Sequence, residues 1–310
     1  PARSDAVLMT SFGEVARVAV IAEDRHLGAV QRRLLSALAR AQPRGFQVGL
    51  ARGDAALGPL LDLIQILGPG PAAATAAIAH EHGLGLVGAF PLPAGLGPGT
   101  FHAILSPTAA ADRELLAAGA HPEQLHRWQP GVDPESFGPG YYCASALPRQ
   151  DDPIHVLHVG DPDSPEELLP ELAAATELEP RLQLTIVRDE AVLPRLLASA
   201  DLLVHLSPSA GFPLAVIEAQ ASGLPVLARA RGGAAEVIED GRSGVLVPDA
   251  PGALAQALVS LGRRACLRER LIVGGLAAVR PRTWERSLGQ LTEAWIAALA
   301  STHSTMVWAA

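Results

Sequence analysis

The chain has 310 residues, enough for two domains, with 24 basic and 32 acidic side chains and a formal net charge of -8. Every basic residue is arginine, and without lysine the chain has neither a Walker phosphate loop nor a Schiff-base lysine. The acidic balance argues against nucleic acid or an anionic membrane surface as the main partner, and no apolar run is long enough to span a bilayer.

Short apolar strands alternate with helical stretches in the first half of the chain. Such alternation is typical of a parallel sheet with helices on both faces. We therefore predict a shortened N-terminal Rossmann-like lobe over residues 1–135. Its predicted strands are 15–22, 46–50, 63–67, 84–90 and 102–106, and its predicted helices are 26–42, 72–83 and 109–119.

A segment rich in proline, glycine and aspartate interrupts this pattern, and we predict a linker over 136–152. The alternation then resumes in a second shortened lobe over 153–280, followed by a helix and tail over 281–310. The second set of predicted strands is 154–160, 182–187, 201–207, 225–230 and 244–248, with helices at 165–175, 190–200 and 283–301. Two α/β lobes joined in this way are expected to bind ligands in a cleft.

The stretch SAGFPLAVIEAQASGLPV (209–226) follows the third strand of the second lobe. Gly211 allows a tight turn, Pro213 suits the first turn of a helix, and the helix N-terminus then favours a phosphate. Downstream, Gly232 and Gly233 allow a ligand to approach the backbone. Taken alone, the glycine pair is better explained as an ordinary turn before a short helix.

Taken together, the residues from 207 to 248 resemble the C-terminal lobe of the family 4 glycosyltransferases, which are retaining enzymes with the two-lobed GT-B fold. The matching pattern is SxxxGFPLxxxEAxASGLPVxAxxxGGxxEVIxDGxxGxLV. GVDPESF (131–137) also resembles the interdomain segment of that family, and TWERSLGQLTEAW (283–295) resembles its closing helix. The resemblance implies that the last helix returns to the first lobe and largely buries Trp284 and Trp295.

The resemblance also implies a nucleotide-sugar site, of which this chain keeps one part. Glu218 matches the glutamate that holds the nucleotide ribose, and Gly211, Gly232 and Gly233 match residues near the phosphates. These four residues are interpreted as a vestigial nucleotide-sugar site. The second glutamate of the family, eight positions earlier, is replaced by Ala210, which neither accepts a hydrogen bond nor carries charge.

The basic pair that neutralises the donor diphosphate in the family is also replaced. Asp161 stands where the family has arginine, and Glu166 stands near the position of its lysine. Carboxylates at these positions repel a diphosphate. Either Arg188 or Arg229 remains a candidate to replace the missing basic pair.

Two hypotheses of function follow. The first is a glycosyltransferase-like protein without catalytic residues, without a cofactor and with a binding or structural role beside a protein partner. The second is an active retaining glycosyltransferase of the hexosyltransferase type, which transfers a sugar from a nucleotide-sugar donor. A dinucleotide enzyme is disfavoured, because Gly28 is the only glycine after the first strand and no GxGxxG motif is present.

The remaining expectations concern metals, location and partner surfaces. The spacing within the pairs His80 with His82 and His155 with His158 does not suit metal ligation, so no metal site is expected. The two cysteines form no motif, which favours a reducing compartment, and the start of the chain lacks a signal-peptide pattern. We therefore expect a cytoplasmic protein, with residues 91–101 and 301–310 as candidate contacts for its partner.

Overall fold

The computed structural model describes residues 15–22, 29–51, 61–67, 72–139, 153–159, 165–189 and 191–307. The chain divides into two compact units, one containing Pro1–Pro130 with Trp284–Ala310 and the other containing Gly131–Thr283. Each unit has its own sheet of parallel strands. The predicted fold class, two Rossmann-like lobes with a C-terminal helix that joins the first lobe, is confirmed.

The first unit contains a six-stranded sheet in the order β2-β1-β3-β4-β5-β6. The sequence predicted five of these strands and missed β6, a three-residue edge strand whose sequence LHR holds one apolar residue and therefore no apolar run. The strands are β1 (Ala16–Ala22), β2 (Phe46–Ala51), β3 (Leu63–Leu67), β4 (Gly85–Ala89), β5 (Ala103–Ser106) and β6 (Leu125–Arg127).

Helices pack on both faces of this first sheet. The helices are α1 (Ala29–Arg40), α2 (Ala72–Glu81), α3 (Ala109–Ala117) and, from the end of the chain, α10 (Trp284–Val307), with short 3-10 turns at Pro98–Thr100 and Pro122–Gln124. One face packs against α1 and α10, and the other packs against α2 and α3. Trp295 of α10 is fully buried as predicted, whereas Trp284 is only partly buried because it lies at the first residue of the helix.

The second unit contains a five-stranded sheet in the order β11-β10-β9-β7-β8. Its strand order reverses at β7, which pairs with both β8 and β9. The strands are β7 (Ile154–Val159), β8 (Leu182–Val187), β9 (Leu202–His205), β10 (Val226–Arg229) and β11 (Val245–Val247), and the helices are α4 (Pro165–Leu178), α5 (Leu193–Leu197), α6 (Leu214–Ala221), α7 (Ala234–Val237), α8 (Ala253–Arg263) and α9 (Ala265–Val279).

Two local expectations are changed by the structure. Pro213 is not in the first turn of α6, because it stands at the residue before the helix, with Leu214 as the first helical residue. The apolar segment 91–101 is folded against its own unit, where Phe101 is buried and Leu92 and Leu96 are partly buried in the core. The larger apolar side chains of this segment therefore pack in its own unit, while residues 91, 94, 95, 97 and 99 remain exposed, and its role as a partner contact stays a prediction.

Some predictions fall outside the described residues. These are most of the linker (140–152), Asp161, and residues 308–310 of the tail, while the side chains of Glu166 and of 303–307 are also not described. Among the helices that the structure describes, none combines the length and the apolar character needed to cross a membrane.

Candidate functional site

The loops that follow β9 and β10 meet at the carboxyl edge of the second sheet, the edge where parallel α/β sheets bind ligands. The amide of Gly233 donates a hydrogen bond to the carbonyl oxygen of Ser209 at 2.9 Å. Gly232 has φ +61, and a Cβ there would stand 2.5 Å from the same oxygen. A Cβ on Gly233 would overlap the carbonyl oxygen of Gly211. Packing of the two loops is therefore sufficient to require glycine at positions 232 and 233.

Glu218 lies on α6, directly after the first of these loops. It is 3% exposed, on a helix in which nearly every residue is buried. Its carbonyl oxygen accepts hydrogen bonds from the amide and the hydroxyl of Ser222, at 3.0 and 2.9 Å. The backbone of Glu218 is thus fixed within α6, and its side chain is buried.

Ala210 occupies the loop between the two residues that pack against the glycine pair. It is 6% exposed, and its methyl side chain supplies no acceptor. The structure therefore brings Ala210, Gly211, Gly232 and Gly233 together with only one glutamate of the family pattern, Glu218, on the adjoining helix.

Two arginines near the end of β10 converge on one carboxylate. The Nε of Arg229 lies 3.4 Å from Oδ1 of Asp249, and the Nη1 of Arg231 donates to Oδ2 of Asp249 at 3.2 Å. Arg229 also donates to the carbonyl oxygen of Pro248 at 2.7 Å. The sequence did not predict this cluster, because Asp249 follows β11 and no spacing rule links it to the arginines.

A second carboxylate approaches Arg229 from α4. Glu171 lies 4.0 Å from the Nη2 of Arg229, and its oxygens accept hydrogen bonds from the amides of Gly252 and Ala255 at 2.9 Å. These contacts join α4, the end of β10 and the start of α8. Arg229 is 4% exposed and is committed to them, while the other candidate basic residue, Arg188, is exposed just after β8.

Two histidines lie near the carboxyl ends of β7 and β9, where the strand order reverses. The Nδ1–H of His158 donates to the carbonyl oxygen of Val204 at 3.1 Å, and burial lowers the pKa of His158. Burial, with a smaller contribution from the charge of His158, lowers the pKa of His205 to about 4. Both rings are therefore neutral at pH 7. No sequence motif distinguishes His205, because it is the last residue of a short apolar strand.

The histidine pairs considered from the sequence are not brought together with further ligands. His155 is buried, and its amide donates to Oδ2 of Asp201 at 2.9 Å. Among the residues that the structure describes, no group of three or more histidine, cysteine, aspartate or glutamate side chains is arranged to hold a metal ion.

The sequence from 141 to 263 matches the family model described as Glycosyl transferases group 1. This stretch of the chain is similar to group 1 glycosyltransferase domains. The matched residues include both loops at the carboxyl edge, Glu218, and the cluster formed by Arg229, Arg231 and Asp249.

Curated relatives of the chain carry glycosyltransferase names. The chain is 33% identical over 174 residues to the Sulfoquinovosyl transferase SQD2 of Arabidopsis thaliana, covering 46% of this chain and 34% of the relative. It is 32% identical over 238 residues to a D-inositol 3-phosphate glycosyltransferase of Geodermatophilus obscurus, covering 63% of this chain and 52% of the relative. The chain thus spans about a third to a half of the length of these two proteins.

Solved structures with the same fold match nearly the whole chain. The Anabaena protein HepE, crystallised with UDP and glucose, superposes with a TM-score of 0.68 at 16% identity, covering 89% of this chain and 98% of that one. WaaG, a glycosyltransferase involved in lipopolysaccharide biosynthesis, gives a TM-score of 0.60 at 15% identity, covering 89% and 98%. At these identities the likeness shows a shared GT-B fold.

Proposed function

We propose that the chain is a glycosyltransferase-like protein that keeps the GT-B scaffold but does not transfer sugar, and that it serves a binding or structural role. The observation that carries this proposal is the pairing of Arg229 and Arg231 with Asp249. The positive charge at the end of β10 is balanced within the protein. A donor diphosphate needs uncompensated positive charge to stabilise the leaving group.

The residues of the family motif that this chain keeps differ in physical role from those that it replaces. Gly232 and Gly233 are required by contacts between two loops of the protein itself, so their presence does not depend on a substrate. Ala210, Asp161 and Glu166 stand where the resemblance implies residues that contact the donor. A chain under selection for fold alone would keep the first set and lose the second.

The second candidate function is an active retaining glycosyltransferase. The observation that favours it is the buried carboxylate of Glu218, held on α6 at the position that the resemblance assigns to the nucleotide ribose. The names of the curated relatives point the same way and suggest an inositol phosphate as acceptor. In this case Glu218 binds the ribose, and Gly232 and Gly233 lie by the phosphates.

The proposal for partner and location follows from the same reasoning. A protein that keeps its core while its donor site is lost acts through its surface, so we propose a protein partner contacted by the tail at 301–310. We also propose that the protein works in the cytoplasm, since its two cysteines form no motif typical of an oxidising compartment.

Restoration of the family residues tests the proposal. Purified wild-type protein and the triple variant Ala210→Glu, Asp161→Arg, Glu166→Lys are incubated with UDP-sugars and GDP-sugars and with D-inositol 3-phosphate. Released nucleoside diphosphate is measured by mass spectrometry. We expect no release by the wild type. Release by the wild type that is lost in Glu218→Ala would establish the second function.

The same proposal predicts a gain of nucleotide binding in the triple variant. We expect the variant to bind a nucleoside diphosphate that the wild type does not, because two carboxylates at the diphosphate become cations. A single charge reversal far from the edge, Glu177→Lys on the exposed face of α4, is the matched control and should leave binding unchanged.

A further inference from the structure

Two arginines at the carboxyl edge of the second sheet, Arg229 and Arg231, form a cationic pair. The carboxylate of Asp249 occupies the space between their guanidinium groups. The guanidinium groups of Arg229 and Arg231, both near the end of β10, approach the two oxygens of Asp249 at 3.4 and 3.2 Å. Two cations directed at one carboxylate form the arrangement by which proteins hold a phosphate group.

The cations are fixed by contacts that do not involve Asp249. Arg229 donates to the carbonyl oxygen of Pro248 at 2.7 Å and lies 4.0 Å from Glu171. The Nη2 of Arg231 donates to the carbonyl oxygen of Leu206 at 3.1 Å. Both guanidinium groups therefore have anchors that remain when the aspartate is absent.

The carboxylate is the exchangeable part of the cluster. The side chain of Asp249 is 52% exposed, while those of Arg229 and Arg231 are 5% and 30% exposed. As the most exposed member of the cluster, Asp249 is the group that an external anion can displace, and the buried Arg229 then requires that anion as its partner.

We propose that Arg229 and Arg231 form a phosphate-binding site that Asp249 closes in the resting protein. The ligand is a phosphate group, free or as a monoester, which displaces the Asp249 carboxylate and accepts hydrogen bonds from Arg231. A phosphate has more acceptor oxygens and more negative charge than a carboxylate, so it competes for the same two cations.

This inference goes beyond the proposed function and uses the same cluster: Asp249 compensates the two arginines in the resting protein, and a phosphate binds only by displacing it. The probe is inorganic phosphate, which requires neither nucleoside, sugar nor Glu218. A wild type that bound nucleotide-sugars tightly through Glu218 would end the proposed function without touching this site.

The experiment is calorimetric titration of the full chain with inorganic phosphate at constant ionic strength. We expect weak binding by the wild type and binding at least about tenfold tighter by Asp249→Asn, because the competing charge is removed. The double variant Asp249→Asn, Arg231→Gln should lose the gain. Unchanged affinity in Asp249→Asn, or a gain that survives the loss of Arg231, would overturn the proposal.

The pair formed by Arg242 and Glu239 supplies the matched control. Its ion pair has an N–O distance of 2.9 Å, is exposed on both sides and lies elsewhere in the same unit. Glu239→Gln removes the same charge as Asp249→Asn and should leave phosphate affinity at the wild-type value. An equal gain in Glu239→Gln would show that net charge, and not the Arg231 site, controls binding.

A second measurement covers the case in which Asp249→Asn does not fold. Phosphate should raise the melting temperature of the wild type in a concentration-dependent manner, because a ligand of the folded state stabilises it. Arg231→Gln should abolish this shift and Arg242→Gln should retain it. Equal shifts of the melting temperature in Arg231→Gln and Arg242→Gln would contradict a phosphate site at Arg231.

Discussion

The indole Nε1 of Trp295 donates a hydrogen bond to the Oε1 of Gln65 at 3.1 Å, with both side chains fully buried. The bond joins the closing helix α10 to the centre of the first sheet. Phe46 adds an edge-on ring contact to the same tryptophan, with ring centroids 5.2 Å apart. The last helix is thus part of the core of the first unit.

Loss of the indole donor should destabilise the first unit. Trp295→Phe leaves Oε1 of Gln65 buried without its donor, which costs about 1 to 3 kcal/mol. The measurement is the free energy of unfolding in urea. Adding Gln65→Leu removes both partners and should recover part of the loss. Strictly additive effects of the two substitutions would show that this bond contributes nothing.

The glycine pair should tolerate no side chain. Gly233→Ala places a methyl group against the carbonyl oxygen of Gly211, so the two loops must separate. We expect a loss of more than about 2 kcal/mol in unfolding free energy, comparable to core overpacking. Gly289→Ala on α10 is the matched control. Its Cβ meets nothing within 4 Å, and the change should stabilise the helix by roughly 0.5 to 1 kcal/mol.

The buried histidines should make stability depend on pH. Burial lowers the pKa of His205 from 6.5 to about 4, so the folded protein keeps this ring neutral while the unfolded chain takes up a proton. Stability should be constant above pH 7 and should fall as the pH decreases from about 6.5 to 4. His205→Leu should make that decrease less steep, leaving the part due to His102, His126 and His158, whose pKa values burial also lowers. Substitution of the exposed His82 by glutamine should leave the decrease unchanged.

The sequence predicted the strands well because each buried parallel strand is a short apolar run between breakers. The predicted strand 63–67 matches β3 in full, and strand 182–187 matches β8. Strand β6 was not predicted, because an edge strand of three residues with a single leucine has neither an apolar run nor alternation. The helix predicted at 190–200 is shorter, Leu193–Leu197, since the flanking residues form turns.

The site was predicted only where a motif places residues on one element or one loop. Gly232 and Gly233 stand in a recognisable pattern. Only the structure shows why glycine is required there, because a side chain would meet the backbone of residues 209 and 211. The convergence of Arg231 and Asp249 joins positions 18 residues apart, on loops after different strands. Such tertiary contacts have no local spacing that a single sequence reveals.

Direct titration of nucleotides tests the central claim, that the donor site no longer holds a diphosphate. The wild-type protein is titrated in a calorimeter with UDP, GDP and their common sugar derivatives at low salt, where charge attraction is strongest. We predict dissociation constants no tighter than about 1 mM for every compound. Micromolar binding of any one of them, abolished by Glu218→Ala, would contradict the account and show a working nucleotide-sugar site.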